Sequence, residues 1–439
     1  MSLRIGVLGL GYLGSTTAPC LAELGFDVIG VDIDGAKVAT LSEARAPIFE
    51  PDLEPLIRKH LELGKLRFTT SYDDLVEFAD VVLICVQTPQ RDGEYAADTS
   101  YVDRCIEDLV PRLRRPTVII GRSTVPVGTA ARLADHIEAL APEGVQVDLV
   151  WMPEFLREGH GVDDTLRPDR IVLGTRTERG EQVAREVFAP IIASGTPVIS
   201  CDYATAELVK GTANSFLATK ISFINAIAEL CDAAGADVTV LADAIGHDDR
   251  IGRKQLDAGL GFGGGCLPKD LRGFMAQAGE LGVGDAFGFL REVDEINQRR
   301  RQKVVDTTAE LLDNHWVGKR VAVLGAAFKP NTDDIRDSPA LNVAGRIHLH
   351  GALVSVYDPK ANGNARREFP TLRYSESVMD ACRGAHVVLH LTDWQEFREL
   401  DPAALRDVVD DPKIVDARNN LDRDAWRAAG WTYRGLGRP

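Results

Sequence analysis

The fold is decided by the stretch Arg-Ile-Gly-Val-Leu-Gly-Leu-Gly-Tyr-Leu-Gly at residues 4–14. Its first half is a short apolar run that predicts a buried strand, and a helical pattern follows the last glycine. The next strand pattern, residues 26–32, ends in an acid. This order of strand, glycine turn, helix, strand and acid is typical of a dinucleotide-binding βαβ unit.

The glycines and the acid predict how such a ligand is held. Gly9, Gly11 and Gly14 form G-x-G-x-x-G, which permits a tight turn and a close approach of the pyrophosphate. The helix N-terminus stabilises the phosphate charge. Asp32 is placed to accept hydrogen bonds from the adenosine ribose hydroxyls, which favours NAD over NADP.

The alternation of strands and helices continues through the first half of the chain. Polar residues or proline follow several of these strands, and ligands lie at the carboxyl ends of parallel strands. The further predicted strands of this half are residues 79–86, 117–121, 147–152, 171–174 and 196–200.

The middle of the chain is helical, with helices predicted over residues 203–234 and 287–314. A second strand–glycine start appears at residues 320–325, and further strands are predicted at residues 353–357, 386–391 and 414–416. Because that start lacks G-x-G-x-x-G, a second dinucleotide site is not implied. We therefore predict an α/β fold with two doubly wound, Rossmann-like domains joined by a long helical connector domain. The predicted domains are residues 1–200 (dinucleotide-binding), 201–315 (helical) and 316–439 (the second α/β domain).

Composition limits the class of protein. The 439 residues are 45% hydrophobic and 26% charged, with a net charge of −16, which argues against general nucleic-acid binding. The seven cysteines are scattered without a CxxC pair, which indicates a reducing compartment. With no long apolar run and no HExxH pattern, we expect a cytoplasmic protein without a membrane or metal partner.

A second informative stretch is Gly-Phe-Gly-Gly-Gly-Cys-Leu-Pro-Lys-Asp at residues 261–270. Glycines let the backbone approach a ligand closely, and a cysteine that opens a helix ionises more easily. The pattern favours Cys266 as a nucleophile. The alternative is a glycine-rich turn with an inert, buried cysteine.

Polar residues four apart, on one helix face, suggest further site residues. The polar pairs are Glu154/Glu158, Lys210/Asn214 and Cys266/Asp270. The alternative interpretation of Lys210 is a surface lysine with an extended side chain.

The arginines at 299–301 are expected on a solvated helix face.

Several motifs occur in one order along nearly the whole chain: residues 9–14 with Asp32 and Lys37, Thr88-Pro89, residues 123–128, 153–159, 207–210 with Asn214, 261–270, Phe328-Lys329 and residues 336–338. In these motifs the chain resembles the UDP-glucose/GDP-mannose dehydrogenase family. The resemblance implies oxidation of a sugar C6 alcohol to a carboxylate with two NAD per turnover.

The same resemblance implies catalytic roles. Cys266 is the nucleophile that forms a thiohemiacetal and then a thioester. Glu154 or Asp270 acts as the base that cleaves the thioester with water, which Thr124 helps to position. The remaining catalytic pair, which stabilises oxyanion character on the C6 oxygen, is Lys210 and Asn214.

The resemblance also assigns NAD binding to residues 1–200, the catalytic loop and a dimer interface to residues 201–315, and nucleotide-sugar binding to residues 316–439. Ligand contacts are likewise implied, and Arg250 is expected to reach a neighbouring subunit's site, which requires at least a dimer. The implied NAD contacts are Gly9, Gly11, Tyr12, Leu13, Gly14, Asp32, Lys37, Thr88, Pro89, Ser123, Thr124, Glu158, Lys269 and Arg336. The implied nucleotide-sugar contacts are Glu154, Phe155, Leu156, Lys210, Asn214, Arg250, Phe262, Gly263, Cys266, Lys329 and Arg418.

Substrate identity stays open at this point. The segment after Lys210 favours UDP-glucose, oxidised to UDP-glucuronate, whereas Cys-Leu-Pro-Lys-Asp at residues 266–270 also occurs in GDP-mannose relatives. The same chemistry on dTDP-glucose is a further alternative. Two other functions remain: a two-electron NAD-dependent alcohol dehydrogenase, and a non-catalytic sensor of NAD or a nucleotide sugar.

Overall fold

The computed structural model describes residues 3–439. These residues form two compact units. The first unit runs to Ala213 and includes Arg272–Leu281, and the second unit comprises Asn214–Leu271 and Gly282–Pro439. The predicted boundaries near residues 200 and 315 stay a prediction.

The first unit is built on one sheet. Its order is β3-β2-β1-β4-β5-β6-β7-β8, in which the pair β6–β7 is antiparallel and the other pairs are parallel. The order changes direction between β1 and β4, where such sheets open a crevice at the carboxyl ends of the strands. The strands are β1 (Arg4–Leu8), β2 (Asp27–Val31), β3 (Leu66–Thr69), β4 (Val81–Ile84), β5 (Thr117–Gly121), β6 (Val147–Trp151), β7 (Ile171–Thr175) and β8 (Val198–Cys201).

The central strands β4 and β5 are buried on both faces, which is why they are continuous apolar runs. Along β4, Val81 and Leu83 pack into one core, and Val82 and Ile84 into the other. The helices of this unit are Tyr12–Glu23, Gly35–Ser42, Leu53–Glu62, Tyr72–Phe78, Ser100–Leu109, Thr129–Leu140, Gly161–Leu166, Glu178–Val187 and Ala189–Ala193, with a 3₁₀ turn at Val110–Arg112.

The second unit contains a parallel sheet in the order β11-β10-β9-β12-β13-β14. Its strands are β9 (Arg320–Leu324), β10 (Leu353–Tyr357), β11 (Arg373–Tyr374), β12 (Val387–His390), β13 (Lys413–Asp416) and β14 (Thr432–Gly435). The helices placed wholly in this unit are Val238–Gly246, Gly288–Leu311, Pro339–Leu349, Asn362–Glu368, Val378–Cys382, Gln395–Arg398, Pro402–Arg406 and Arg423–Ala428, with a 3₁₀ turn at Gly284–Phe287.

Two helices, Tyr203–Ala234 and Leu267–Glu280, have residues in both units. The predicted fold class, two doubly wound α/β regions and a helical connector, is confirmed. Within residues 3–439, none of the helices combines the length and the apolar character needed to cross a membrane.

Several sequence-based expectations need correction. The strands β3, β11 and β14 were not predicted, because they are short or interrupted by charged residues. The helix predicted over residues 287–314 ends at Leu311, since Asp313 and Asn314 adopt left-handed backbone conformations with φ of 52° and 59°.

The expectation of a solvated arginine face is wrong for two of its three residues. Arg300 and Arg301 are 0% and 2% exposed, whereas Arg299 is exposed. Both buried guanidinium groups donate to backbone carbonyls, Arg300 to that of Gly259 and Arg301 to that of Phe262, in place of water.

Candidate active site

The glycine turn after β1 has little room for side chains. Gly9 has a φ of +90°, and a Cβ at Gly14 would lie 1.8 Å from the Gly9 carbonyl oxygen. A Cβ at Gly11 would meet no atom within 4 Å, so this side of the turn is open to a ligand. The helix Tyr12–Glu23 begins there, and its first N–H groups point toward an approaching phosphate. Leu13 is half-buried in its first turn.

Asp32 at the end of β2 is buried and bonded to the same turn. It accepts hydrogen bonds from Leu10 N at 2.7 Å, Asp34 N at 2.9 Å and Lys37 Nζ at 2.9 Å. Burial acts to raise the pKa of Asp32, but the hydrogen bonds from Asp34, Leu10 and Lys37 outweigh it, so the pKa lies below its usual value. The side chain is therefore a charged acceptor, as recognition of ribose hydroxyls requires.

The loops after β4 and β5 are tied together by hydroxyl groups. Thr88 Oγ1 donates to the Thr124 carbonyl at 2.7 Å, and Ser123 Oγ donates to the Val86 carbonyl at 2.6 Å. These bonds bring Thr88, Ser123 and Thr124 to one place at the carboxyl edge of the sheet. Pro89 follows directly and is half-buried.

A carboxylate that sequence analysis missed organises the segment around Glu158. Buried Glu50 accepts hydrogen bonds from Tyr12 Oη at 2.6 Å and from Gly159 N and Gly161 N at 2.7 Å each. Burial and the Glu50 charge raise the pKa of Tyr12, so its hydroxyl stays protonated and donates. Glu158, next to Gly159, is buried. The expectation that Glu154 and Glu158 share a helix face is wrong, because residues 152–160 lie outside any helix. No periodic pattern in the sequence marks Glu50.

Lys210 and Glu154 form a buried ion pair. Lys210 Nζ lies 3.0 Å from Glu154 Oε1, and Glu154 Oε2 accepts from Leu156 N at 2.6 Å. Lys210 is only 4% exposed, and its ammonium lies 5.8 Å from the centre of the Phe155 ring. The alternative of an extended surface lysine is therefore wrong.

Glu207, one turn before Lys210, anchors this helix to the loop after β5. Its carboxylate accepts from Gly128 N at 2.8 Å and Ala130 N at 2.6 Å, at the start of the helix Thr129–Leu140. Burial raises the pKa of Glu207. The sequence placed Glu207 in a motif but did not predict this bond.

In the second unit, Cys266 immediately precedes the helix Leu267–Glu280. Asp270 N donates to the Cys266 carbonyl at 2.8 Å, so Cys266 occupies the N-terminal cap position, where the helix dipole favours a thiolate. Cys266 is exposed, so the alternative of a buried cysteine is wrong, and its reactivity stays a prediction. By contrast, burial raises the pKa of the Cys85 and Cys382 thiols to about 12.

The carboxylate one turn after Cys266 is buried and bonded. Asp270 accepts from Asn214 Nδ2 at 2.6 Å and pairs with Lys269 Nζ at 2.8 Å. Asn214 is also buried. Three predicted site residues thus meet beside Cys266.

The loop of residues 259–266, called the cysteine loop here, packs against residues 336–338. Gly264 N donates to the Arg336 carbonyl at 3.0 Å. A Cβ at Gly263 would lie 2.3 Å from the Asp337 carbonyl oxygen, and one at Gly265 would lie 2.2 Å from Arg336 Cζ. The glycines therefore bring Arg336 against the cysteine loop, where the Arg336 side chain is held by Asp334.

Two arginines that are predicted to contact the substrate interact with other groups of the protein. Arg418 donates to the carbonyls of Leu391 at 2.7 Å, Gly261 at 3.1 Å and Phe328 at 3.4 Å, and burial lowers its pKa. Arg250 is exposed and pairs with Asp248 in its own turn at 2.7 Å. Their ligand contacts stay predictions.

The predicted site residues are divided between the two units. The first unit contains Gly9, Gly11, Tyr12, Leu13, Gly14, Asp32, Lys37, Thr88, Pro89, Ser123, Thr124, Glu154, Phe155, Leu156, Glu158 and Lys210. The second unit contains Asn214, Arg250, Phe262, Gly263, Cys266, Lys269, Asp270, Lys329, Arg336 and Arg418.

Three models of one protein family match the chain. They are described as the NAD binding domain, the central domain and the UDP binding domain of the UDP-glucose/GDP-mannose dehydrogenase family, and they match residues 3–192, 204–299 and 322–423. Together they cover most of the chain.

Individual proteins are similar over the full length. UDP-glucose 6-dehydrogenase YwqF of Bacillus subtilis is 38% identical, over 99% of this chain and 98% of that protein. UDP-glucose 6-dehydrogenase of Rhizobium meliloti is 38% identical, over 100% of both. The solved structure of a UDP-glucose dehydrogenase from Pyrobaculum islandicum superposes with a TM-score of 0.91 at 34% identity, covering 100% of this chain and 98% of that one.

Proposed function

This chain belongs to the UDP-glucose/GDP-mannose dehydrogenase family, and we propose that it oxidises the C6 alcohol of UDP-glucose to the carboxylate of UDP-glucuronate. The observation that carries this proposal is the exposed thiol of Cys266 at a helix N-terminus, one turn before buried Asp270. A two-electron alcohol dehydrogenase has no need of such a thiol.

The residues of the first unit fit NAD, the cofactor of this family. Where Gly9 and Gly14 meet there is no space for a Cβ, and Gly11 leaves the turn open to a pyrophosphate. Charged Asp32 at the end of β2 fits the ribose hydroxyls. NAD, when bound, accepts one hydride in each of the two oxidations.

Cys266 has the central role in the proposed chemistry. The first oxidation converts the C6 alcohol to an aldehyde. The Cys266 thiolate then donates an electron pair to C6, which forms a C–S bond and a thiohemiacetal. Hydride loss from that carbon leaves a thioester. Addition of water to C6 breaks the C–S bond, releasing the carboxylate, the thiol and a proton.

The other residues supply charge and proton transfer. Lys210 and Asn214 stabilise negative charge on the C6 oxygen, because a buried ammonium and a buried amide donor interact strongly with an oxyanion. Glu154 or Asp270 accepts the proton of the attacking water, with Thr124 positioning that water. Glu154 is already paired with Lys210, and Asp270 with Lys269.

An NADH-formation assay over UDP-glucose, dTDP-glucose and GDP-mannose, with product mass measured, tests the proposal. We expect UDP-glucose to be the best substrate and two NADH to form per sugar acid, because its relatives are named for that sugar. Preference for another nucleotide sugar would reassign the substrate. One NADH per sugar would favour the two-electron alternative, and binding without turnover would favour a sensor.

We further propose that the protein forms a homodimer through the helix Tyr203–Ala234. Phe216, Phe223 and Leu230 are 64%, 52% and 63% exposed. Their seven-residue spacing places them in one stripe on the helix. An exposed apolar stripe of this kind is typical of a helix that packs against a partner. The outward-facing Arg250 is consistent with a contact to a second copy.

Replacing Phe223 by Glu tests this interface. A charge in the centre of the stripe is expected to dissociate the dimer, so the mass measured by light scattering should fall to that of one chain. Phe289→Glu is the matched control, because Phe289 is 53% exposed on a different helix. A parent protein that is monomeric, or a Phe223→Glu variant that keeps the parent mass, would rule out the interface.

A further inference from the structure

The helix Gly288–Leu311 carries a polar face that is buried. Asn297, Arg300 and Arg301 are 0%, 0% and 2% exposed, although the neighbouring Arg299 is exposed. Burying an amide and two guanidinium groups costs free energy unless they are hydrogen-bonded. The groups that form hydrogen bonds with these three side chains therefore indicate the function of this face.

Asn297 holds both backbone groups of one residue in the cysteine loop. Phe262 N donates to Asn297 Oδ1 at 2.8 Å, and Asn297 Nδ2 donates to the Phe262 carbonyl at 3.0 Å. Phe262 lies outside any helix or strand, so the Asn297 amide replaces the partner that a strand would provide. This pair of bonds fixes the loop four residues before Cys266.

The two arginines hold the loop at further points. Arg300 Nε donates to the Gly259 carbonyl at 3.0 Å, and the Glu229 carboxylate lies 3.8 Å from Arg300 Nη1. Burial lowers the pKa of Arg300. Because a buried guanidinium cannot donate to water instead, its hydrogen bond to the Gly259 carbonyl is strongly favoured.

Arg301 joins two predicted ligand loops. Its Nη1 bonds the Asp337 carboxylate at 2.7 Å, and its Nη2 donates to the Phe262 carbonyl at 3.3 Å. Asp337 has a left-handed backbone with a φ of 44° and follows Arg336, the predicted NAD contact. One planar guanidinium thus sets the distance between residues 336–338 and the cysteine loop.

We propose that Asn297, Arg300 and Arg301 form a buried platform that positions the Cys266 thiol by fixing the backbone of the cysteine loop. The three are positioning residues, because they act through the loop backbone. The consequence for catalysis rests on the proposed role of Cys266 as nucleophile. The physical claim, that the platform determines the reactivity of the thiol, can be measured without turnover.

The test compares Arg301→Lys with Arg299→Lys on the same helix. Lysine keeps the charge, but a single ammonium does not reproduce the planar fork that bonds Asp337 and the Phe262 carbonyl together. We expect Arg301→Lys to lower kcat about 10- to 100-fold, as a displacement of about 1 Å does in other enzymes. We also expect a changed rate and pH profile of Cys266 alkylation by iodoacetamide. Arg299→Lys should match the parent in both.

Asn297→Ala provides a second variant with the same expected alkylation change. Parent-like alkylation across the pH range in folded Arg301→Lys or Asn297→Ala would overturn the proposal. If the parent oxidises no nucleotide sugar, the proposed function fails, but the alkylation comparison still decides the role of the platform. If neither variant folds, amide exchange of Phe262 in the parent decides: slow exchange is expected, and exchange as fast as in an unstructured loop would contradict the platform.

Discussion

Replacing Cys266 by Ser is expected to lower formation of the sugar acid by about 1,000-fold or more, because the nucleophile is the thiolate and a serine hydroxyl is ionised far less readily. The thiol lies at the N-terminus of the helix Leu267–Glu280, so the substitution removes the group that this helix end stabilises. The measurements are NADH formation and product mass with the preferred nucleotide sugar. NAD affinity, measured by titration, should stay close to that of the parent.

The matched control is Cys201→Ser. Cys201 is half-buried at the end of β8, and burial raises its pKa, so its thiol is a poor nucleophile. This variant should retain the parent rate. If Cys266→Ser formed acid at the parent rate, the covalent mechanism would be wrong. If both variants lost activity together with NAD binding, the loss would reflect folding and not the nucleophile.

Elements dictated by local pattern were predictable from the sequence. The apolar run and glycines of residues 4–14 require β1, the tight turn and the following helix, because no other residues fit the contact between Gly9 and Gly14. The strands β4 and β5 are buried on both faces, so their composition alone reveals them. The exposure of Cys266 also agrees with its place in a glycine-rich segment before a helix.

Features that depend on distant partners were not predictable. Glu50 is buried because Tyr12, Gly159 and Gly161 donate to it, and these residues are far from it in the sequence. Arg300 and Arg301 are buried because loop carbonyls accept their hydrogen bonds. From the sequence alone, a charged residue is predicted to be exposed. Its burial is stable only where other groups hydrogen-bond to it or neutralise its charge, and those groups lie far away in the sequence.

Replacing Lys210 by Met should impair both catalysis and stability. Loss of the ammonium is expected to lower kcat by about 100-fold or more, as removal of an oxyanion donor does in other enzymes. Methionine nearly preserves the shape, but it leaves the Glu154 carboxylate, whose side chain is only 14% exposed, without its counter-charge, which typically costs about 3–5 kcal/mol for a buried pair. Steady-state kinetics and urea denaturation measure the two effects.

The control for the ion pair is Lys59→Met, because Lys59 pairs with Glu23 on the surface at 2.7 Å. That exposed pair is expected to contribute about 0–1 kcal/mol, so its loss should change neither kcat nor the denaturation midpoint appreciably.

The double variant Lys210→Met/Glu154→Gln separates the two roles of Lys210. Removing the Glu154 charge relieves the unpaired carboxylate, so we expect stability to return toward that of the parent. Activity should stay below that of the single variant Glu154→Gln, because that variant lacks only a candidate base, whereas the double variant also lacks the donor to the C6 oxygen. If activity recovered together with stability, Lys210 would act only by supporting the fold. If neither recovered, the pairing with Glu154 would not explain the loss of stability.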